Sequence, residues 1–65
     1  MRIDRVKLIA EMARRDISCN RLVELSGLSR MTITAVRSGK SCSKETAGKL
    51  ARGLGVDVAD IIKEE

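Results

Sequence analysis

The chain has 65 residues, 43% hydrophobic and 34% charged, with a net charge of +4, which is room for one globular domain and one core. It contains no histidine, proline or aromatic residue. That excludes histidine acid–base relays and histidine metal ligands, and removes the base-stacking side chains of the common single-strand and RNA-binding modules. Apolar runs stop at three or four residues, far short of the roughly 20 of a membrane-spanning helix. Arg2, Asp4, Arg5 and Lys7 interrupt any signal-peptide core, so the expected setting is cytoplasmic.

Apolar spacing follows a helical period throughout, and no segment alternates long enough for a half-buried strand. Ile3, Val6, Ile9, Ala10, Ala13 and Ile17 recur at three- and four-residue steps and predict a first helix from about residue 3 to residue 15. Asp4 near its start and Arg14 and Arg15 at its end suit the helix dipole. Ser18 is placed to cap a second helix running to Ser26, with Leu22 and Leu25 inward and Gly27 as a left-handed stop. Ser29 caps a third helix whose inner face is Ile33 and Val36 and which Gly39 closes. The stretch from Gly39 to Ser43 is turn-rich. Ser43 caps a fourth helix, with Ala47, Leu50, Ala51 and Leu54 as its apolar stripe. Gly48 and Gly53 on that helix either allow close packing or are tolerated at about 1 kcal/mol each relative to alanine. Gly55 ends it, and Asp57 caps a fifth helix with Val58, Ile61 and Ile62 on its apolar side. The expected fold is all-α, five short helices in a single domain over residues 1–65. So small a chain buries only ~60% of its unfolded surface, and a partner subunit would add stability.

Charge is unevenly spread. Between residues 30 and 49, Arg30, Arg37, Lys40, Lys44 and Lys49 face Glu45 alone, while Asp57, Asp60, Glu64 and Glu65 make the tail acidic. A basic sector on a small domain is the electrostatic footprint of nucleic-acid binding, although solvated surfaces can look similar. Cys19 and Cys42 cannot form a zinc site without further ligands. They read as two reduced thiols, with a disulfide open on parity alone. No cofactor is indicated.

The spacing from Ser18 to Gly39 carries the functional information: cap, short helix, glycine turn, second cap, second helix, closing glycine. A helix starting three residues after the previous one must turn sharply from it. That is a helix-turn-helix over about residues 18–38, whose second helix is free to enter a major groove. Leu22, Leu28, Ile33 and Val36 would hold the angle, leaving Arg30, Met31, Thr34, Ala35 and Arg37 outward.

The stretch Leu22-Val-Glu-Leu-Ser-Gly-Leu-Ser-Arg-Met-Thr-Ile33, followed by Gly39-Lys40, resembles the lambda-repressor-like (Cro/C1, XRE type) helix-turn-helix family. So does Ala51-Arg-Gly-Leu-Gly-Val-Asp-Val-Ala-Asp-Ile61, which is similar to that family's fourth and fifth helices. The resemblance runs from Ile17 to Ile62, and loosely over the first helix. It implies a transcriptional regulator, a repressor in the first instance, that binds duplex DNA as a homodimer on a near-palindromic operator. Carried over position by position, base reading falls on Arg30, Met31, Thr34 and Ala35. Phosphate binding falls on Ser18 and Cys19, and on Ser38, Lys40 and Ser41. Arg21 and Lys44 join these by charge and position. Cys19 stands where the family commonly has Gln, and Val23 where it commonly has Ala. Met12 and Arg37 stand where many members pair Arg with Glu. Arg37 therefore either adds charge toward DNA or pairs with Glu11 or solvent.

Val56, Val58, Ile61 and Ile62 are more apolar than one small helix needs to seal its own core; some of them are expected to cover the first helix and the remainder to serve a two-fold dimer interface. An enzyme is hard to build from this chain, which lacks a histidine base, a phosphate-cradling glycine loop and a paired-carboxylate cleft. Without aromatic anchors a membrane-surface role is also disfavoured. The competing reading is a small helical protein-interaction module, adaptor- or antitoxin-like, on the same fold.

Overall fold

A computed structural model of the protein describes residues 2–63. Those residues form four α-helices and one 3-10 turn: α1 (Arg5–Arg14), α2 (Cys19–Ser26), α3 (Arg30–Arg37), α4 (Lys44–Leu54) and the turn Val58–Asp60. The starts of the middle three follow the serines. Ser18 Oγ accepts the Arg21 amide, Ser29 Oγ the Thr32 amide and Ser43 Oγ the Thr46 amide, at 3.1, 3.2 and 3.1 Å. Each hydroxyl satisfies one backbone donor that a first helical turn leaves without a carbonyl. α2 and α4 end on Gly27 and Gly55 at φ 73° and 75°, a backbone setting that a side chain resists.

The first helix is shorter than its apolar spacing suggests, and it faces differently. Asp4 is its N-cap, accepting the amides of Val6 and Lys7 at 2.9 and 3.3 Å, so Ile3 lies outside the helix. Its buried face is Leu8, Glu11 and Met12. Val6 is 70% exposed, Ile9 43%, and Ala10 and Ala13 are also exposed. Leu25 of α2, expected inward, likewise points out.

The expected fifth helix is also corrected. Asp57 does open a capping box with Asp60, but the helical run lasts only Val58–Asp60. The chain then turns to lie beside the N-terminal segment. Ile62 bridges Ile3 in antiparallel fashion, Asp4 N donates to Ile61 O at 2.8 Å, and Lys63 N donates to Arg2 O at 3.0 Å. These backbone bonds replace the ones a longer helix would make. They also place Ile3 and Ile61 in the core, where Ile61 is fully buried. Arg2 in turn bridges Ser41, so Arg2 and Ile3 lie between the loop after α3 and the segment at Ile62 and Lys63.

The core is aliphatic: Leu8, Leu22, Ile33, Leu50 and Ile61 are all completely buried. α2 packs chiefly on α4, and Gly53 makes this possible. A Cβ at Gly53 would stand 3.1 Å from Ser26 N and 3.2 Å from Ser26 Cα, whereas one at Gly48 would meet nothing within 4 Å. The two glycines therefore have different reasons. Gly53→Ala is expected to lower stability by up to about 2 kcal/mol, because overpacking against backbone at about 1–3 kcal/mol outweighs the gain of about 1 kcal/mol in helix propensity. Gly48→Ala should raise it by about 1 kcal/mol through helix propensity. Thermal or urea melts of the two variants, followed by circular dichroism, check the opposite signs.

Candidate nucleic-acid interface

The site is built outward from a buried serine. Ser26, at the end of α2, donates its hydroxyl to Leu22 O at 2.6 Å and accepts the Leu28 amide at 3.2 Å. One side chain thus closes the last turn of α2 and fixes the first step of the connection to α3. Gly27 reverses the chain, Leu28 packs half-buried against the core, and Ser29 restarts a helix. Ile33 and Val36 anchor α3 from beneath.

With those two positions inward, Arg30, Met31, Thr34, Arg37 and Ser38 are exposed, Met31 at 82%. Residues three and four apart share a helix face, so Arg30, Met31, Thr34 and Ser38 form one continuous outward strip. Ala35 borders it, half-buried. Ser38 donates its hydroxyl to Thr34 O at 2.9 Å, and Lys40 N reaches back to Ala35 O at 3.2 Å. The loop carrying Lys40 and Ser41 is therefore tied to the end of α3. Lys44 opens α4, exposed, just beyond that loop.

Ser18 and Cys19 stand at the start of α2. The Arg21 amide is taken by Ser18 Oγ, and the amides of Cys19 and Asn20 have no intrahelical acceptor, as in any first turn. Arg21 itself pairs with Glu24 at 2.9 Å on the surface, a geometry that costs little to break. No acidic residue occupies the first turn of α1, α2 or α3, and Arg5 and Arg30 open α1 and α3. A cation there works against the helix dipole; at α1 the Asp4 carboxylate offsets this, whereas at α3 the cap is neutral, so local stability does not account for Arg30.

Residues 7–65 match the family model of the Cro/C1-type HTH DNA-binding domain. The chain belongs to that family. DNA binding follows from membership, in a family that is typically non-enzymatic. No curated protein and no solved structure matches the chain. Among the described residues, no cluster of acidic and cysteine side chains is arranged to hold a metal, and no helix is long and apolar enough to cross a membrane.

Two departures from the Cro/C1 pattern meet each other in space. Arg37 Nη1 donates to Cys19 Sγ, joining the end of α3 to the start of α2. Glu11 is engaged elsewhere, with Arg14 at 2.9 Å and Arg15 at 2.5 Å. Met12 is buried in the core. Nothing in the separate sequence stretches showed that positions 19 and 37 touch; their separation along the chain hides it. Both cysteines are free thiols, and burial pushes the Cys42 thiol above its ordinary pKa.

At the apolar end of the molecule, Ile61 is sealed in the protomer's own core, so it cannot serve a subunit interface. Val56, Val58 and Ile62 are only half-buried.

Sequence reasoning also missed the N-terminal arginines. Arg2 and Arg5 lie on a groove that the end of α3 shares, a neighbourhood created by the bridge from Arg2 to Ser41.

Because Ser26 both closes α2 and holds the Leu28 amide, Ser26→Ala is expected to cost about 1–3 kcal/mol. Ser38→Ala, at an exposed hydroxyl, should change stability by less than about 0.5 kcal/mol. Urea unfolding of both variants tests the contrast.

Proposed function

We propose that the protein is a sequence-specific transcriptional regulator, a repressor, that reads the major groove of duplex DNA with α3 and acts as a homodimer. The observation that carries this reading is the outward strip of α3, small and cationic, held by buried Ile33 and Val36 and continued by the basic loop. The short side chains of Thr34 and Ser38 on it suit close approach to base edges. Arg30 supplies a fork for guanine O6 and N7, and Thr34 a hydroxyl that donates or accepts. Met31 and Ala35 offer apolar surface to a thymine methyl.

Backbone phosphates are held at two places. Ser18 and Cys19 offer the start of α2, where free amides favour an anion, and Arg21 stands one turn on. Ser38, Lys40, Ser41 and Lys44 line the other place. Arg37 belongs with the first: its hydrogen bond to Cys19 holds a guanidinium at the position where the family commonly has a Gln side chain. In this reading a short thiol and a long arginine together replace that one amide.

The second subunit docks through the half-exposed Val56, Val58 and Ile62. Two subunits related by a two-fold axis would set half-sites about 34 Å apart, one helical turn. The adaptor- or antitoxin-like reading is weaker, because it leaves the cationic strip without a role.

Anisotropy of labelled duplexes, of random sequence and from upstream of the protein's own gene, tests the reading at several salt concentrations. Binding to the upstream duplex should be at least ~10³-fold tighter and fall steeply with salt. Arg30→Ala should cost about 1–3 kcal/mol on the preferred duplex only, relaxing specificity. Lys40→Ala and Arg37→Ala should each weaken binding to all sequences alike and lower the salt slope by about 1. An Arg37→Ala slope equal to wild type would remove Arg37 from the phosphate set. Sedimentation across a dilution series should show dimer; monomer throughout, with DNA binding intact, would refute the homodimer.

A further inference from the structure

The N-terminal segment forms a basic groove beside the interface just described. Its volume is about 310 Å³, and Arg2, Asp4, Arg5, Lys63, Ser38 and Gly39 are among the residues that line it. Two backbone contacts build it: Arg2 bridges Ser41, and Lys63 N donates to Arg2 O at 3.0 Å. Three cations therefore face one carboxylate. That carboxylate, Asp4, is turned toward its own helix, where Oδ1 accepts the Val6 and Lys7 amides. Among the described residues, none of the three cations is engaged in an ion pair.

Arg5 opens α1, where its charge opposes the helix dipole and the Asp4 carboxylate offsets this. Among the described residues, three cations against one carboxylate in a concave site suit an anion. The end of α3, which shares the groove, identifies which anion. Ser38 and Gly39 end the recognition helix and lead directly into Lys40 and Ser41, so the groove extends the phosphate-facing loop.

We propose that this groove binds a backbone phosphate of duplex DNA beyond those held by α2 and the Lys40 loop, lengthening the footprint of each subunit. The inference rests on the DNA-binding reading above. The contact carries orientation and affinity without base information, because it involves only backbone.

The test compares wild type with Arg2→Ala/Arg5→Ala, Arg2→Lys/Arg5→Lys and Arg14→Ala on labelled duplexes, from about 50 to 200 mM salt. Arg14 is an exposed cation at the far end of α1, paired with Glu11, and its variant reports the effect of losing one surface charge away from the groove. The double alanine variant should lose affinity equally on random and preferred duplexes, its slope of log K against log salt smaller by about 1. The double lysine variant should keep the wild-type slope, and so should Arg14→Ala. All four proteins should melt alike or, for the double alanine variant, slightly higher. A wild-type slope in the double alanine variant, or an equal fall in Arg14→Ala, would overturn the groove while leaving the DNA-binding reading standing. A wild-type protein that binds no duplex even at low salt would overturn both.

Discussion

The close approach of Ser26 to Gly53 is the constraint on which the rest of the molecule depends. Because residue 53 has no side chain, the end of α2 lies against α4 at backbone distance. Because Ser26 is small and hydrogen-bonds both ways, its hydroxyl can be buried there with its polar needs met. The turn at Gly27 then starts from a fixed point, and the direction of α3 follows. A methyl group on one side of this contact, or the loss of a hydroxyl on the other, would be transmitted to every outward residue of α3. So small a core has little surplus to absorb such a shift.

Above that contact the surface runs against local stability in a consistent way. α1, α2 and α3 begin without an acidic residue in their first turns, although acids there would favour the helices. At α2 and α3 serine caps supply the missing satisfaction, and because a serine hydroxyl closes an amide without bringing negative charge, those two starts are capped and still open to an anion; α1 is capped by the Asp4 carboxylate instead. The same logic accounts for Arg37 and Cys19. Where an ion pair across helices would join a cation to a carboxylate, a cysteine sulfur orients it instead.

Much of this was legible in the sequence where the physics is local. Ser18, Ser29 and Ser43 act within one turn of themselves, and Gly27 and Gly55 answer to their own backbone angles. Those boundaries fall where the residue types put them. The buried stripes of α3 and α4 were legible too, since each helix has one apolar side. α1 was not, because it is apolar on two sides. Val6, Ile9 and Ala13 recur at helical spacing as well as Leu8 and Met12 do, and only the position of the neighbouring helices decides between them. The length of the last helix failed for a related reason. Asp57 and Asp60 do begin a helix, but Ile61 and Ile62 are drawn off by Ile3, some sixty residues upstream. The groove at Arg2 and the meeting of Cys19 with Arg37 likewise join distant residues, and no spacing rule along the chain reveals them.

The pairing of the chain's two ends has a consequence for how the domain opens. Ile3 and Ile61 are neighbours in the core, and the hydrogen bonds Asp4 N to Ile61 O and Lys63 N to Arg2 O run between the same two segments. Neither segment has a helix of its own to hold it there. Fraying is thus shared: releasing one end removes the other's partners, and both leave together as one cooperative unit. Amide exchange at Asp4 and at Lys63 would then proceed at linked rates. A cut at either end would loosen the floor beneath Leu8 and the loop at Ser41 in a single event.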